Sequence, residues 1–282
     1  MSYKQYTAVS DEQRQEKMEQ IHKDLTIGFK SVLESDNWKQ YLKTAAKFHR
    51  YSARNVMLIT MQMPEATQVA AYNKWKELGR QVRKGEKGIQ ILAPIVKKLP
   101  DPDSGVPTSR IVGFRRAHVF DIGQTEGNPL PSPVTLLEGS APQILTDNVI
   151  KMCQDDDWMV VEDELSPGIN GETRWSSHTI VTATGLSEAQ RAKTLVHELA
   201  HSMLHRGESD RGKAEVEAES VAYVVCQHFG LDTSDYTFGY IATWASSDLE
   251  VVKKTADTVI KTANKIVYYI ESNLEAADEP AA

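Results

Sequence analysis

The sequence predicts an α+β protein in two domains, and three observations carry that expectation. Apolar residues recur at helical intervals through most of residues 11–78. The texture then changes, because residues 89–99 and 110–120 are rich in β-branched and apolar side chains and flank a Pro/Gly/Asp loop, the pattern of a hairpin. Residues 123–142 hold four prolines and three glycines, a natural interdomain connection, after which helical periodicity returns. The expected organisation is a helical N-terminal domain with a β-hairpin over residues 1–125, a linker at 126–142 and a second domain over 143–282.

Each element has a local reason. Met18, Ile21, Leu25, Phe29, Val32 and Leu33 define a first helix within residues 11–35. Asp36 or Asn37 caps a second, through Trp38, Tyr41, Leu42 and Phe48. Ser52 is the N-cap of a third, which Pro64 stops. A short helix near Ala71–Leu78 ends at Gly79, and the hairpin that follows turns near Gly105. Beyond the linker, Thr146–Asp155 reads as a helix, followed by short strands near Met159–Glu162, Glu172–Trp175 and Thr179–Ala183. Ser187 with Gln190 resembles a capping box that launches a long helix to about His205. Lys213–Phe229, Tyr236–Ala245 and Leu249–Leu274 complete a helical tail.

Composition limits the function classes. The content is 40% apolar and 25% charged, as in ordinary soluble chains, and no run approaches the length of a membrane span. Two cysteines, Cys153 and Cys226, make neither a disulfide framework nor a metal spacing, which suits a reduced, cytoplasmic protein. The net charge of −7 hides an asymmetry. Residues 39–116 carry 16 Lys/Arg against 5 Asp/Glu, leaving 16 against 34 elsewhere. A basic footprint confined to one half is the mark of an anionic partner. Tyr51, Tyr72 and Trp75 are candidates to stack bases, with Arg50, Arg54, Arg80, Arg83, Lys84 and Lys87 tracking phosphates. Nothing points to base-specific readout, so the expectation is sequence-tolerant, salt-sensitive binding.

The second half declares its chemistry in Leu195-Val196-His197-Glu198-Leu199-Ala200-His201. On a helix, the i and i+4 histidines of H-E-x-x-H leave one face and can grip one metal ion, and Glu198 can act as a general base beside it. A third ligand must come from elsewhere. Lys213–Val225 reads as a helix on which Glu215, Glu219 and Ala222 share a face while Glu217 points away. Glu215 is the expected third ligand and Glu219 the carboxylate that orients a histidine, with the reverse assignment as the alternative. His205 is either a neighbour of the site or a surface helix end, and Tyr223 a core residue. His22, His49, His118 and His178 have no nameable partners.

H-E-L-A-H followed by E-V-E-A-E-S-V-A-Y resembles the zincin metallopeptidases, in the gluzincin branch whose third ligand is glutamate. Phe48–Asn55, Trp75–Pro94 and Val119–Thr125 resemble the ArdC-type antirestriction proteins, and that similarity spans about residues 15–275. The resemblance implies an N-terminal single-stranded-DNA-binding domain joined to a C-terminal zincin-like domain, carried on plasmids and other mobile elements. It also implies Zn²⁺, with Mn²⁺ or Co²⁺ as alternatives, and a role in protecting incoming DNA during conjugation. Two functions stay open: a DNA-binding protector, and a protease that cuts a regulatory or restriction protein. By the same analogy, residues 178–183 are the expected edge strand for a peptide.

Overall fold

In the computed structural model, residues 11–32, 35–100, 106–130, 141–232 and 248–278 are described. The chain is α+β and divides into two compact units: residues 1–30 with 57–128, and residues 31–56 with 129–282. Among the described residues no helix is long and apolar enough to cross a membrane. Cys153 and Cys226 are both buried free thiols.

The first unit contains α1 (Asp11–Ser31, through Lys30), most of α3 (Ala53–Gln62), α4 (Tyr72–Glu77) and five strands. Gly28 lets α1 approach α3, because a Cβ there would collide with Met57 and Met61. The hairpin pairs β3 (Ile89–Pro100) with β4 (Pro107–Asp121) in antiparallel register from Ile89–Val119 to Pro100–Pro107, with a bulge at Ile95/Val96. The expected tip at Gly105 lies outside the described residues. Three short strands were not legible as such: β1 (Val69–Ala70) pairs with β4, and β2 (Arg80–Val82) with β5 (Thr125–Gly127).

Buried Asp121 knots these pieces together. Its carboxylate accepts from Thr67 N at 2.7 Å, Gln68 N at 3.0 Å and Gly123 N at 2.8 Å. Gln124 accepts from Asp121 N at 2.9 Å and donates to Lys87 O at 2.9 Å, which fixes the turn before β3. The Phe-Asp-Ile-Gly-Gln stretch is therefore a structural clasp.

The second unit packs α2 (Ser35–Lys47), α5 (Ala141–Asp155), α6 (Glu188–Leu204), α7 (Arg211–His228) and α8 (Leu249–Asp278) with a three-stranded sheet. Asp36 and Asn37 lie inside the first turn of α2 rather than capping it. Ala214, Ala218 and Ala222 are buried on α7, and small side chains let neighbouring helices come close. Trp38 of α2 donates to Ser220 Oγ at 3.0 Å, so its buried indole N–H is satisfied. The expected helix at Tyr236–Ala245 lies outside the described residues.

The sheet corrects one expectation. Its order is β6 (Met159–Asp163), β8 (Thr179–Ala183), β7 (Gly171–Arg174). β8 is thus central, parallel to β6 and antiparallel to β7, and β7 is the edge strand packed beside α6. The four consecutive buried residues Thr179–Thr182, all β-branched, suit a strand covered on both faces inside the sheet.

Candidate metal centre

Helix α6 starts where Ser187 Oγ accepts from Gln190 N at 3.3 Å. The Gln190 side chain turns to Thr194 instead of closing a capping box. Ala192, Leu195, Val196, Leu199 and Ala200 bury its apolar stripe, which fixes the direction of the remaining face. On that face His197 Nε2 and His201 Nε2 come within 3.0 Å of each other. Glu215 of α7 brings Oε2 to 3.4 Å from His197 Nε2 and Oε1 to 3.7 Å from His201 Nε2. Donors bound tetrahedrally at roughly 2.0–2.2 Å from Zn²⁺ stand about 3.3–3.6 Å apart, so this spacing suits one ion.

The outer nitrogens settle the tautomers. A carboxylate can only accept, so His197 Nδ1 donates to Glu219 Oε2 at 3.1 Å. His205 Nε2 likewise donates to Glu217 Oε2 at 3.2 Å. With its proton on Nε2, His205 can accept at Nδ1 from His201 Nδ1, 2.8 Å away. Both Nε2 lone pairs are thereby turned toward each other and toward Glu215. Two acceptors and a carboxylate facing one another need a cation or a shared proton between them. Without an ion, burial works to lower the His197 pKa, but hydrogen bonds to Glu215 and Glu219 outweigh it and push it up to about 10. The same two histidines hold Glu215 well below the usual carboxylate range.

Of the two alternatives for His205, the structure takes the neighbour of the site, and it corrects Glu217, which does not point away but is buried against His205. Both side chains are buried, and Thr255 Oγ1 of α8 donates to Glu217 Oε1 at 3.3 Å. The available signal was His205's place four residues beyond His201, one turn along the same face.

Glu198 is buried and accepts from Thr173 Oγ1 of β7 at 2.7 Å. Gly171 makes this approach possible, since a Cβ there would lie 2.8 Å from Glu198 Oε1. A cleft of about 470 Å³ opens over Gly171, Thr194, His197, Glu198 and Glu219. The arrangement supplies a carboxylate with a proton-accepting face beside a triad of metal donors.

The nine candidate nucleic-acid contacts divide. Arg50, Tyr51 and Arg54 fall in the second unit, and Tyr72, Trp75, Arg80, Arg83, Lys84 and Lys87 in the first. Trp75 is 1% exposed and its Nε1 donates to Phe120 O at 2.8 Å, so its ring is core and has no face for a base. Arg80 is committed to β5, donating to Thr125 Oγ1 at 2.8 Å and to the Asn128 carbonyl. Tyr72 remains exposed, with Lys76 Nζ 5.3 Å from its ring centroid. Tyr72, Arg83 and Lys84 line one cleft of about 510 Å³, and Lys87 is exposed just beyond. Phe114, 47% exposed on β4 next to Arg115 and Arg116, is a further platform the sequence reading passed over.

Residues 11–120 match the family model of the N-terminal domain of the anti-restriction factor ArdC. An uncharacterized protein of Bacillus anthracis is 28% identical over 319 aligned positions, covering 96% of this chain and 54% of that protein. The chain thus spans about half the length of that curated relative. The metal-free crystal structure of the antirestriction ArdC protein of the R388 plasmid is similar in fold. It has a TM-score of 0.50 at 22% identity and covers 79% of this chain and 86% of that one. The Mn(II)-bound structure of the same protein gives 0.49 at 20% identity, covering 82% and 86%. The likeness to the anti-restriction factor ArdC is thus that of its N-terminal domain, carried over residues 11–120 of this chain.

Proposed function

We propose that this is a mobile-element antirestriction protein that binds single-stranded DNA without sequence preference and shields incoming DNA from host restriction during conjugation. In this reading residues 1–125 form the basic binding domain and 126–142 the linker. A zincin-like domain over 143–282 holds Zn²⁺, Mn²⁺ or Co²⁺ at His197, His201 and Glu215. The observation that carries the DNA reading is the excess of six positive charges over residues 57–116 of the first unit, with exposed Arg83, Lys84 and Lys87 among them. Glu86, which pairs with Arg83 at 2.7 Å, is the one acidic side chain within that turn. Phosphates neutralise such a patch and release counterions, while Tyr72 offers a stacking face to any base. The choice of single strand over duplex draws on the ArdC likeness and not on charge.

The test is binding of fluorescent single-stranded and duplex oligonucleotides across a salt series. Substituting Arg83, Lys84 and Lys87 together with alanine should weaken single-strand binding at least tenfold at low salt. It should also reduce the log–log salt slope by about 2, from roughly 0.7 per lost phosphate contact. Absence of binding by the wild-type protein at low salt would overturn the DNA reading.

A second reading, a protease acting on a regulatory or restriction protein, rests on Glu198. A site that only braced the fold would have no use for a buried carboxylate held beside the donors and facing a cleft. A divalent ion at His197, His201 and Glu215 would supply Lewis acidity. Glu198 would accept a proton from water and Thr173 would hold it in place. An extended peptide would pair along the open edge of β7.

A further inference from the structure

We propose that His49, His228 and Glu271 form a second divalent-metal site, separate from the H-E-x-x-H cluster and structural in role. The three residues come from the loop after α2, the last residue of α7 and the C-terminal half of α8. All lie in the second unit. Their ligand atoms fall within 4.8 Å of one another, as do those of His197, His201 and Glu215.

The outer nitrogen again fixes the ring. His228 Nδ1 is 2.8 Å from Ala46 O, a carbonyl in the last turn of α2, and a carbonyl can only accept. Nδ1 therefore carries a proton, and Nε2 faces Glu271 Oε1, 3.0 Å away, a contact that needs either a proton donated to the carboxylate or a cation held between the two. A ligand histidine fixed by a backbone carbonyl through its other nitrogen is the usual arrangement around a metal. On the other carboxylate oxygen, Glu271 Oε2 lies 3.3 Å from His49 Nε2. That nitrogen is shielded from solvent, and the contact lacks the angle of a hydrogen bond. The two imidazole rings stand edge to face, 4.7 Å between centroids. Two imidazole nitrogens and a carboxylate thus converge within 4.8 Å of one another, close enough for one ion to draw them into a shared coordination sphere with a fourth position for water.

The surroundings mark the site as structural. No carboxylate equivalent to Glu198 stands beside it among the described residues, and it sits where three helical segments end or cross. An ion there would tie the end of α2 and the C-terminus of α7 to α8. The side chains are 16, 17 and 29% exposed, enough for an ion to enter.

The experiment titrates the metal-free, full-length chain with Zn²⁺ against a chromogenic chelator. The variants are Glu271→Gln, His49→Ala, His197→Ala/His201→Ala, and the combination of that pair with Glu271→Gln. The expected stoichiometries are two equivalents for wild type, one for each single-site disruption and none for the combination. Zn²⁺ at a hundredfold excess over its Kd should raise Tm of the His197→Ala/His201→Ala variant by roughly 5–10 °C, and of the combination not at all. Circular dichroism establishes that each variant folds, and His49→Ala gives an independent reading if Glu271→Gln does not. One equivalent in wild type that survives both Glu271→Gln and His49→Ala would overturn the proposal, leaving a proton shared between His228 and Glu271. One equivalent lost on Glu271→Gln but kept by His197→Ala/His201→Ala would support it while overturning the proposed metal at the H-E-x-x-H cluster.

Discussion

Two clusters in one folded unit use the same donor set, two histidines and a glutamate, yet differ in everything around it. At His197, His201 and Glu215 both imidazoles are held from behind by carboxylates, directly by Glu219 and through His205 by Glu217. At His49, His228 and Glu271 the outer partner of His228 is a backbone carbonyl, and no second carboxylate reinforces it. The first cluster faces a cleft beside buried Glu198, whereas the second ties helix ends together. The difference teaches that donor identity sets what can bind, and the neighbouring groups set whether anything can react. An anionic outer partner raises the basicity of a ligand imidazole more than a neutral carbonyl does, and only a cleft admits a substrate.

The sharpest way to break the comparison is Glu198→Gln. Glutamine keeps the size and the hydrogen bond from Thr173 but cannot accept a proton from water. If the first cluster is reactive, peptide hydrolysis by the metal-loaded protein should fall by about 10²–10⁴-fold. Metal content and single-strand affinity should stay within error of wild type. Cleavage assays with unstructured peptide libraries, read beside metal stoichiometry, check it. Undiminished cleavage would remove Glu198 from the chemistry and make the two clusters alike in kind.

A smaller effect separates the outer partners. Glu217→Gln leaves His205 without its anionic acceptor, so the tautomer that presents His201 Nε2 is no longer enforced. Zn²⁺ affinity at the first cluster should weaken by about 10–100-fold, and the second should be unchanged. Competition titration of the His49→Ala background isolates the first cluster. An unaltered affinity there would mean that the relay behind His201 is packing and nothing more.

The same contrast explains what was legible in the residues. H-E-x-x-H is readable because its two histidines are one helical turn apart, so local geometry alone brings them together. Glu215 and Glu219 were readable because α7 follows within a few residues and its period is regular. The reverse assignment stayed open because both carboxylates share a face, and only the helix crossing decides that one meets Nε2 and the other Nδ1. His49, His228 and Glu271 had no such signal, since no local period links the three and they meet only through helix packing. Trp75 failed as a DNA contact for a related reason. Its sequence neighbours are basic, but α4 turns its ring toward β4, which nothing in residues 72–77 announces. β8 was placed at an edge by analogy, although its run of β-branched residues, Thr179–Thr182, already suited a buried central strand.

The smallest expected effect concerns the contact that holds Glu198. Thr173→Val is nearly isosteric and deletes the hydroxyl donating to Glu198 Oε2 at 2.7 Å. Gly171 bears on the same carboxylate from the same strand, so β7 both admits Glu198 and orients it. Loss of one hydrogen bond to a buried group should cost about 1 kcal/mol and lower Tm by about 2–4 °C. Any hydrolysis should slow by about fivefold, as the carboxylate loses its fixed direction while keeping its charge. Zn²⁺ stoichiometry should not change at either cluster, because neither donor set includes Thr173. A melting curve, a peptide-cleavage rate and a titration on the same sample measure all three. If Tm falls but the rate holds, Thr173 braces the strand only, and the distinction between the clusters would rest on the cleft and the charge of Glu198 rather than on how that charge is aimed.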